Sequence, residues 1–193
     1  MNSMWNWLPG VIDRRIRVVA WASLVSQIVI IGTGGAVRLT GSGLGCPTWP
    51  RCTEDSLIST PEMGIHGIIE FGNRLLTFVL AIIAIAMFVL LLRLRKERPE
   101  LFRLSILLGL GIPGQAVIGG VTVLTNLNPY VVGLHYVLSL VLVVLASVLL
   151  YRVRRGPKRD SWGVPVAVRG LSAALMGVLS ISLVMGVVTT GSG

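Results

Sequence analysis

His66-Gly-Ile-Ile-Glu-Phe-Gly-Asn-Arg74 runs without a break into an uncharged, largely apolar stretch from Leu75 to Leu92. The joined segment is long enough to cross a bilayer as one helix, with the polar residues in its first two turns or so. On that helix His66, Glu70, Asn73 and Arg74 fall at i, i+4, i+7 and i+8, which is one face. A carboxylate and a guanidinium at the rim of a bilayer are costly, so they turn toward a protein interior or a polar cavity. Two readings follow: a Glu–Arg pair that only locks two helices together, or a site. Gly72 beside the polar face favours the site, because a missing side chain lets a flat or bulky group come close.

The flanking sequence repeats the membrane pattern. Of the 193 residues 53% are hydrophobic and 13% charged, and the mean hydropathy is +0.82, which marks an all-α, polytopic transmembrane helix bundle. The net charge of +9 would suit nucleic acid, but its placement excludes that partner. Fourteen of the 17 basic residues lie in three segments: Arg14 to Arg17, Arg93 to Arg103, and Arg152 to Arg169. Alternation of the spans puts all three on one side, so the excess obeys the positive-inside rule and anionic membrane lipid is its partner. The N-terminus is therefore expected in the cytoplasm and the protein in a bacterial-type plasma membrane.

In chain order, residues 1–17 read as a cytoplasmic tail with Trp5 and Trp7 as interface anchors. The tail resembles the charged front of a signal peptide, but no Ala-x-Ala-like cleavage site follows. Residues 18–151 read as four spans, with an outer loop at 38–63 and a turn at Asn126-Leu-Asn-Pro129. The third span is rich in glycine (Gly109, Gly111, Gly114, Gly119, Gly120) and contains Pro113, which should kink it. Residues 152–169 form a last cytoplasmic loop, and 170–193 read as a fifth span. Thr190-Gly-Ser-Gly193 repeats Thr40-Gly-Ser-Gly43 at the same place after a span, which suggests an internal duplication and a second half that is truncated here.

In the outer loop Cys46 and Cys52 bracket Pro47, Trp49 and Pro50. Outside the membrane a disulfide is permitted and would brace this stiff loop, whereas a metal site would need more ligands. Arg38 either pairs with an anionic group beneath the loop or anchors its helix at the headgroups. His135 stands alone in the fourth span, and an ionisable residue inside a membrane helix is a functional candidate by default.

Here a resemblance becomes specific. Gly35-Ala-Val-Arg-Leu-Thr-x-Ser-Gly-Leu-x-Cys-Pro-x-Trp-Pro-x-Cys52, then Glu70-Phe-Gly-Asn-Arg-Leu75, Thr122-Val-Leu-Thr-Asn-Leu-Asn-Pro129 and His135 resemble the haem A synthase family, in the family's order. The resemblance implies eight helices in two pseudo-repeated halves, of which this chain carries the four-helix substrate-haem half and one helix more. It implies oxidation of a ring methyl of haem O to a formyl group, giving haem A for terminal oxidase assembly. It implies haem b in the second half, and a haem O synthase, oxidase assembly factors or a second copy of the chain as partners. His135 would hold the haem iron. Glu70 would stabilise positive charge at the oxidised methyl or move protons. His66, Asn73, Arg74 and Arg38 would line the cofactor. The competing readings are a non-catalytic b-type cytochrome that passes electrons, and a transporter with Glu70 as proton relay.

The ligand opposite His135 is a departure, because many relatives carry His where this chain has Asn73. At helical rise His135 lies about 26 Å from Arg152, Asn73 about 30 Å from Arg93, and His66 about 40 Å from Arg93. His66 is thus about two turns too high to bind the same iron, unless the helix opens irregularly after Pro61. Otherwise the iron has His135 alone and an open side that suits oxygen. The orientation is testable. A reporter enzyme active only outside the cytoplasm should work when fused after Asp55 and fail when fused after Glu97. The reverse pattern would overturn the topology.

Overall fold

The structure is a computed structural model, and residues 7–156 and 165–191 are described. Trp5, Pro157, Lys158, Arg159, Ser192 and Gly193, which entered the reading of the tail, the last loop and the repeat, lie outside the described residues. Among the described residues five α-helices follow one another: α1 (Arg14–Leu39), α2 (Gly64–Leu91), α3 (Pro99–Leu124), α4 (Pro129–Arg155) and α5 (Val166–Gly191), with a 3₁₀ turn at Pro61–Met63 before α2. Four of them, α1 to α4, are long and apolar enough to cross a membrane, and α2 with its 3₁₀ turn is the most apolar. This is an all-helical, multi-pass membrane protein.

The helices begin and end where local chemistry dictates. Asp13 caps α1 by accepting from the Ile16 N–H at 3.1 Å and also binds Arg15 Nε at 2.8 Å. Burial opposes the charge on Asp13, but the Arg15 and Ile16 hydrogen bonds outweigh it and hold the carboxyl below its ordinary value. With that cap, α1 takes in Arg14, Arg15 and Arg17 ahead of the uncharged run, and Arg15 stacks over the exposed Trp7 at 5.1 Å. Asn128 caps α4 through the Tyr130 N–H at 3.0 Å, and Pro129 occupies the first helical position. Asn126 and Leu127 both take left-handed backbone angles to close the α3–α4 turn. Pro113 does not end α3, which continues on both sides of it.

The first four helices close a ring in which α1 packs on α2 and α4, and α3 packs on the same two. Helices α2 and α4 therefore face each other across the bundle. Helix α5 leans on α4, and its described side chains are all exposed. The hydrophobic core sits at the basic end of the ring, where Ile16, Met87, Leu91, Leu101, Leu108, Ala146 and Leu149 are buried. Arg98 fastens this end by donating from Nη2 to Arg152 O at 3.1 Å while it pairs with Glu100. Toward the opposite end the apolar core thins to Leu80, Ala84 and Ile112, and polar side chains take over.

The segment between α1 and the 3₁₀ turn folds down over that opposite end. Cys46 and Cys52 are fully buried and joined as a disulfide, with Cα atoms 4.4 Å apart. Two glycines permit the docking. A Cβ on Gly45 would lie 2.2 Å from His66 O, and one on Gly120 would lie 2.3 Å from the Trp49 ring. The loop thus presses its backbone on the start of α2 and its indole on α3. Because a carbonyl in a helix cannot yield, Gly45→Ala should lower stability by about 1–3 kcal/mol. Gly34→Ala in α1, where a Cβ meets nothing within 4 Å, should be neutral or stabilising. Thermal unfolding in detergent compares the two, and equal stability would show that the loop does not dock in this way.

Candidate functional site

The start of α2 supplies the polar face expected of it, and each residue on that face has its own partner. Glu70 is 5% exposed. Its Oε1 accepts from Arg74 Nε at 3.1 Å and, more closely, from Arg74 Nη2, which is the i,i+4 ion pair. Its Oε2 accepts from the Cys46 N–H at 2.6 Å. Arg74 in turn donates to three loop carbonyls: Cys46 O at 2.9 Å, Thr48 O at 3.1 Å and Arg51 O at 3.2 Å. A buried ion pair is stable only when its remaining donors and acceptors are satisfied, and the loop backbone does this here. The Glu–Arg pair therefore joins a helix to the disulfide loop.

His66, in the first turn of α2, is exposed, and its Nδ1 lies 2.8 Å from the Oγ of Ser42, which is fully buried. Ser42 Oγ is also 2.7 Å from Thr40 Oγ1, so a short polar chain ties His66 to the end of α1. The helix opens on Gly64, whose φ of +57° follows the 3₁₀ turn, and is regular from there through His66. Asn73 turns toward α1, where Thr33 Oγ1 donates to its Oδ1 at 2.7 Å. Arg38 is exposed in the last turn of α1. A Cβ on Gly72 would meet nothing within 4 Å, so that flank of α2 is open.

Across the ring, α4 presents His135. The ring lies on Gly119 of α3, where a Cβ would come within 3.2 Å of His135 Cε1. One turn earlier on α3, Gln115 Nε2 donates to His135 O at 3.2 Å and to Ser139 Oγ at 3.1 Å. Ser139 Oγ itself donates back to His135 O at 2.8 Å. The Nδ1 of His135 is buried and has no hydrogen-bond partner. A half-buried imidazole with one buried, unsatisfied nitrogen, set against a residue without a side chain, has the donor chemistry of a haem ligand. A haem needs only one or two axial ligands, so this fit does not require the clusters of three or more metal-binding side chains that are absent among the described residues.

The sequence pattern singled out Glu70, Arg74, His66, Asn73, Arg38 and His135, and the structure gathers all but Arg38 and His135 onto the α2 face and its contacts. It adds Ser42, Thr33, Gln115 and Ser139, each a neutral polar residue that bonds across to another segment. Their signal was an isolated hydroxyl or amide in a membrane helix, or at its end.

Residues 17–193 match the profile of the COX15-CtaA family, described as cytochrome oxidase assembly protein. The chain belongs to this family. It is 30% identical over 149 residues to the "Heme A synthase" of Geobacillus thermodenitrificans, covering 76% of this chain and 46% of that protein. The "Heme A synthase" of Geobacillus kaustophilus is 28% identical over the same shares, and that of Listeria welshimeri is 28% identical over 72% of this chain and 47% of its own length. The chain thus spans about half the length of the curated relatives it matches. No solved structure matches it.

The ion pair gives the site's own prediction. Arg74→Met leaves Glu70 buried without its cation and should cost about 3 kcal/mol. The double variant Arg74→Met/Glu70→Gln should lose less than the two single losses added, because the pair acts as a unit. Thermal unfolding of the three variants measures the coupling, and simple additivity would contradict the paired geometry.

Proposed function

We propose that this chain forms the substrate-haem half of a haem A synthase, in which a methyl group of haem O is oxidised to a formyl group to give haem A for terminal oxidase assembly. The observation that carries this reading is the half-buried ring of His135, whose Nδ1 is buried and unpartnered, in the half of the bundle that the hydrophobic core leaves free. Haem O is the substrate, and its iron supplies the oxidising chemistry when reducing equivalents and oxygen reach it. The family's haem b falls outside residues 1–193 in this reading.

The residues divide the work. His135 holds the substrate iron from α4 and fixes the depth of the ring. Asn73, on the facing helix, offers no imidazole and is engaged by Thr33, so it would not supply a second nitrogen to the iron. His66, tied to Ser42 at the outer rim, is placed to meet a propionate and does not bind the iron. Arg38 supplies positive charge at the loop end, where haem propionates face water, while the N–H groups of Arg74 are taken up by Glu70 and the loop carbonyls. Glu70 receives three hydrogen bonds out of the four or so its oxygens can accept, so Oε2 retains a lone pair. It can take a proton there, or offset positive charge at the reacting methyl, without leaving Arg74.

In the competing reading as an electron-carrying b-type cytochrome, Glu70 would only fasten the loop, whereas the proposed reaction also uses its charge. In the complete protein co-expressed with a source of haem O, Glu70→Gln should retain bound haem and yield no haem A on extraction. His135→Ala should lose the haem of this site, and His66→Ala should leave its spectrum unchanged. Normal haem A from Glu70→Gln would remove the catalytic charge from the proposal. Loss of the low-spin signals in His66→Ala would restore His66 as a ligand.

A further inference from the structure

Among the described residues only two buried side-chain polar atoms lack a hydrogen-bond partner: His135 Nδ1 and Gln115 Oε1. Both lie on the seam between α3 and α4. The neighbouring groups set the orientation of the Gln115 amide. Gln115 reaches the main-chain carbonyl of His135, which can only accept, so the atom pointing at it must be the nitrogen. The second N–H goes to Ser139, whose hydroxyl hydrogen is committed to the same carbonyl and whose lone pair is therefore free to accept. This network fixes the amide orientation and leaves Oε1 as an acceptor without a donor. Leaving such atoms buried and unmatched is unfavourable, and native interiors rarely tolerate it.

The two orphans are complementary. One is an acceptor, and the other is a ring nitrogen that can carry a hydrogen. We infer that Gln115 is a positioning residue for His135, accepting the Nδ1–H of the imidazole on Oε1 and so fixing the tautomer whose Nε2 lone pair is free for iron. This rests on the proposal that His135 holds the substrate haem, and it deepens that proposal. Gln115 already binds the backbone of the same residue, and the pairing asks the His135 ring to turn on Gly119 until Nδ1 meets the amide. Gly119 has no side chain to oppose the turn, and a Cβ there would press on Cε1. An imidazole that donates its second N–H to a carbonyl is a more basic ligand, held in one orientation.

The test uses the purified chain loaded with haem O, and reads the midpoint potential and the haem affinity of three variants. Gln115→Leu keeps the volume and removes the acceptor. It should raise the midpoint potential and weaken haem binding about tenfold or more. Gln115→Glu keeps an oxygen acceptor at the same place and should sit at or below the wild-type potential. An unmoved potential in Gln115→Leu would overturn the inference. So would an upward shift of equal size in both variants, because that is what loss of the interhelical bonds to His135 O and Ser139 alone would produce. His135→Ala separates this inference from the reading beneath it. If that variant keeps the haem spectrum, His135 is not the ligand and the parent proposal fails. If it loses the spectrum while Gln115→Leu leaves the potential unmoved, only the role of Gln115 fails.

Discussion

The loop end of this bundle depends on one buried ion pair. Glu70 and Arg74 lie one turn apart in a helix that is otherwise apolar for most of its length. Neither charge would be stable there alone, and together they still leave donors and an acceptor to satisfy. The loop between α1 and α2 provides these groups from its own backbone: one N–H for the carboxylate and three carbonyls for the guanidinium. Each side therefore requires the other. The disulfide holds the loop in a shape whose carbonyls converge, and the ion pair gives that shape a place to bind.

This arrangement divides the molecule along the membrane normal. At the basic end, leucine, isoleucine and methionine fill the space between four helices, and arginine side chains fasten the ends to neighbouring backbone. At the loop end each of the four helices contributes a polar side chain: Thr33, Asn73, Gln115 and His135. Close packing at one end positions the helices, so the other end can hold groups that would not by themselves keep a bundle together. The site is built where the core is thin, on a scaffold made rigid elsewhere.

Much of this was legible in the sequence because charge and hydropathy are local. The uncharged runs marked the spans, the cysteines and prolines marked the braced loop, and Asn126 to Pro129 marked the tight turn. The spacing of His66, Glu70, Asn73 and Arg74 placed them on one face of α2. What the sequence could not disclose was the partner of each polar group, since that depends on how each helix is rotated in the ring. Asn73 could have faced α4 as readily as Thr33, and Gln115 carries no charge to draw notice in a glycine-rich helix. Helix ends were also hidden, because a run of arginines ends a hydropathy signal without ending a helix. Asp13 caps α1 ahead of Arg14, and α5 takes in Arg169 near its start.

Arg74 grips the loop by main-chain oxygens rather than side chains, and this shapes how the loop can change over generations. The Arg51 side chain takes no part in that grip, whereas the Thr48 hydroxyl donates to Arg51 O at 2.9 Å and helps to hold one of the three carbonyls. Inserting or deleting a single residue between Cys46 and Cys52 would move those carbonyls out of register with the guanidinium, however conservative the added residue. The loop should therefore drift in composition while its length stays fixed.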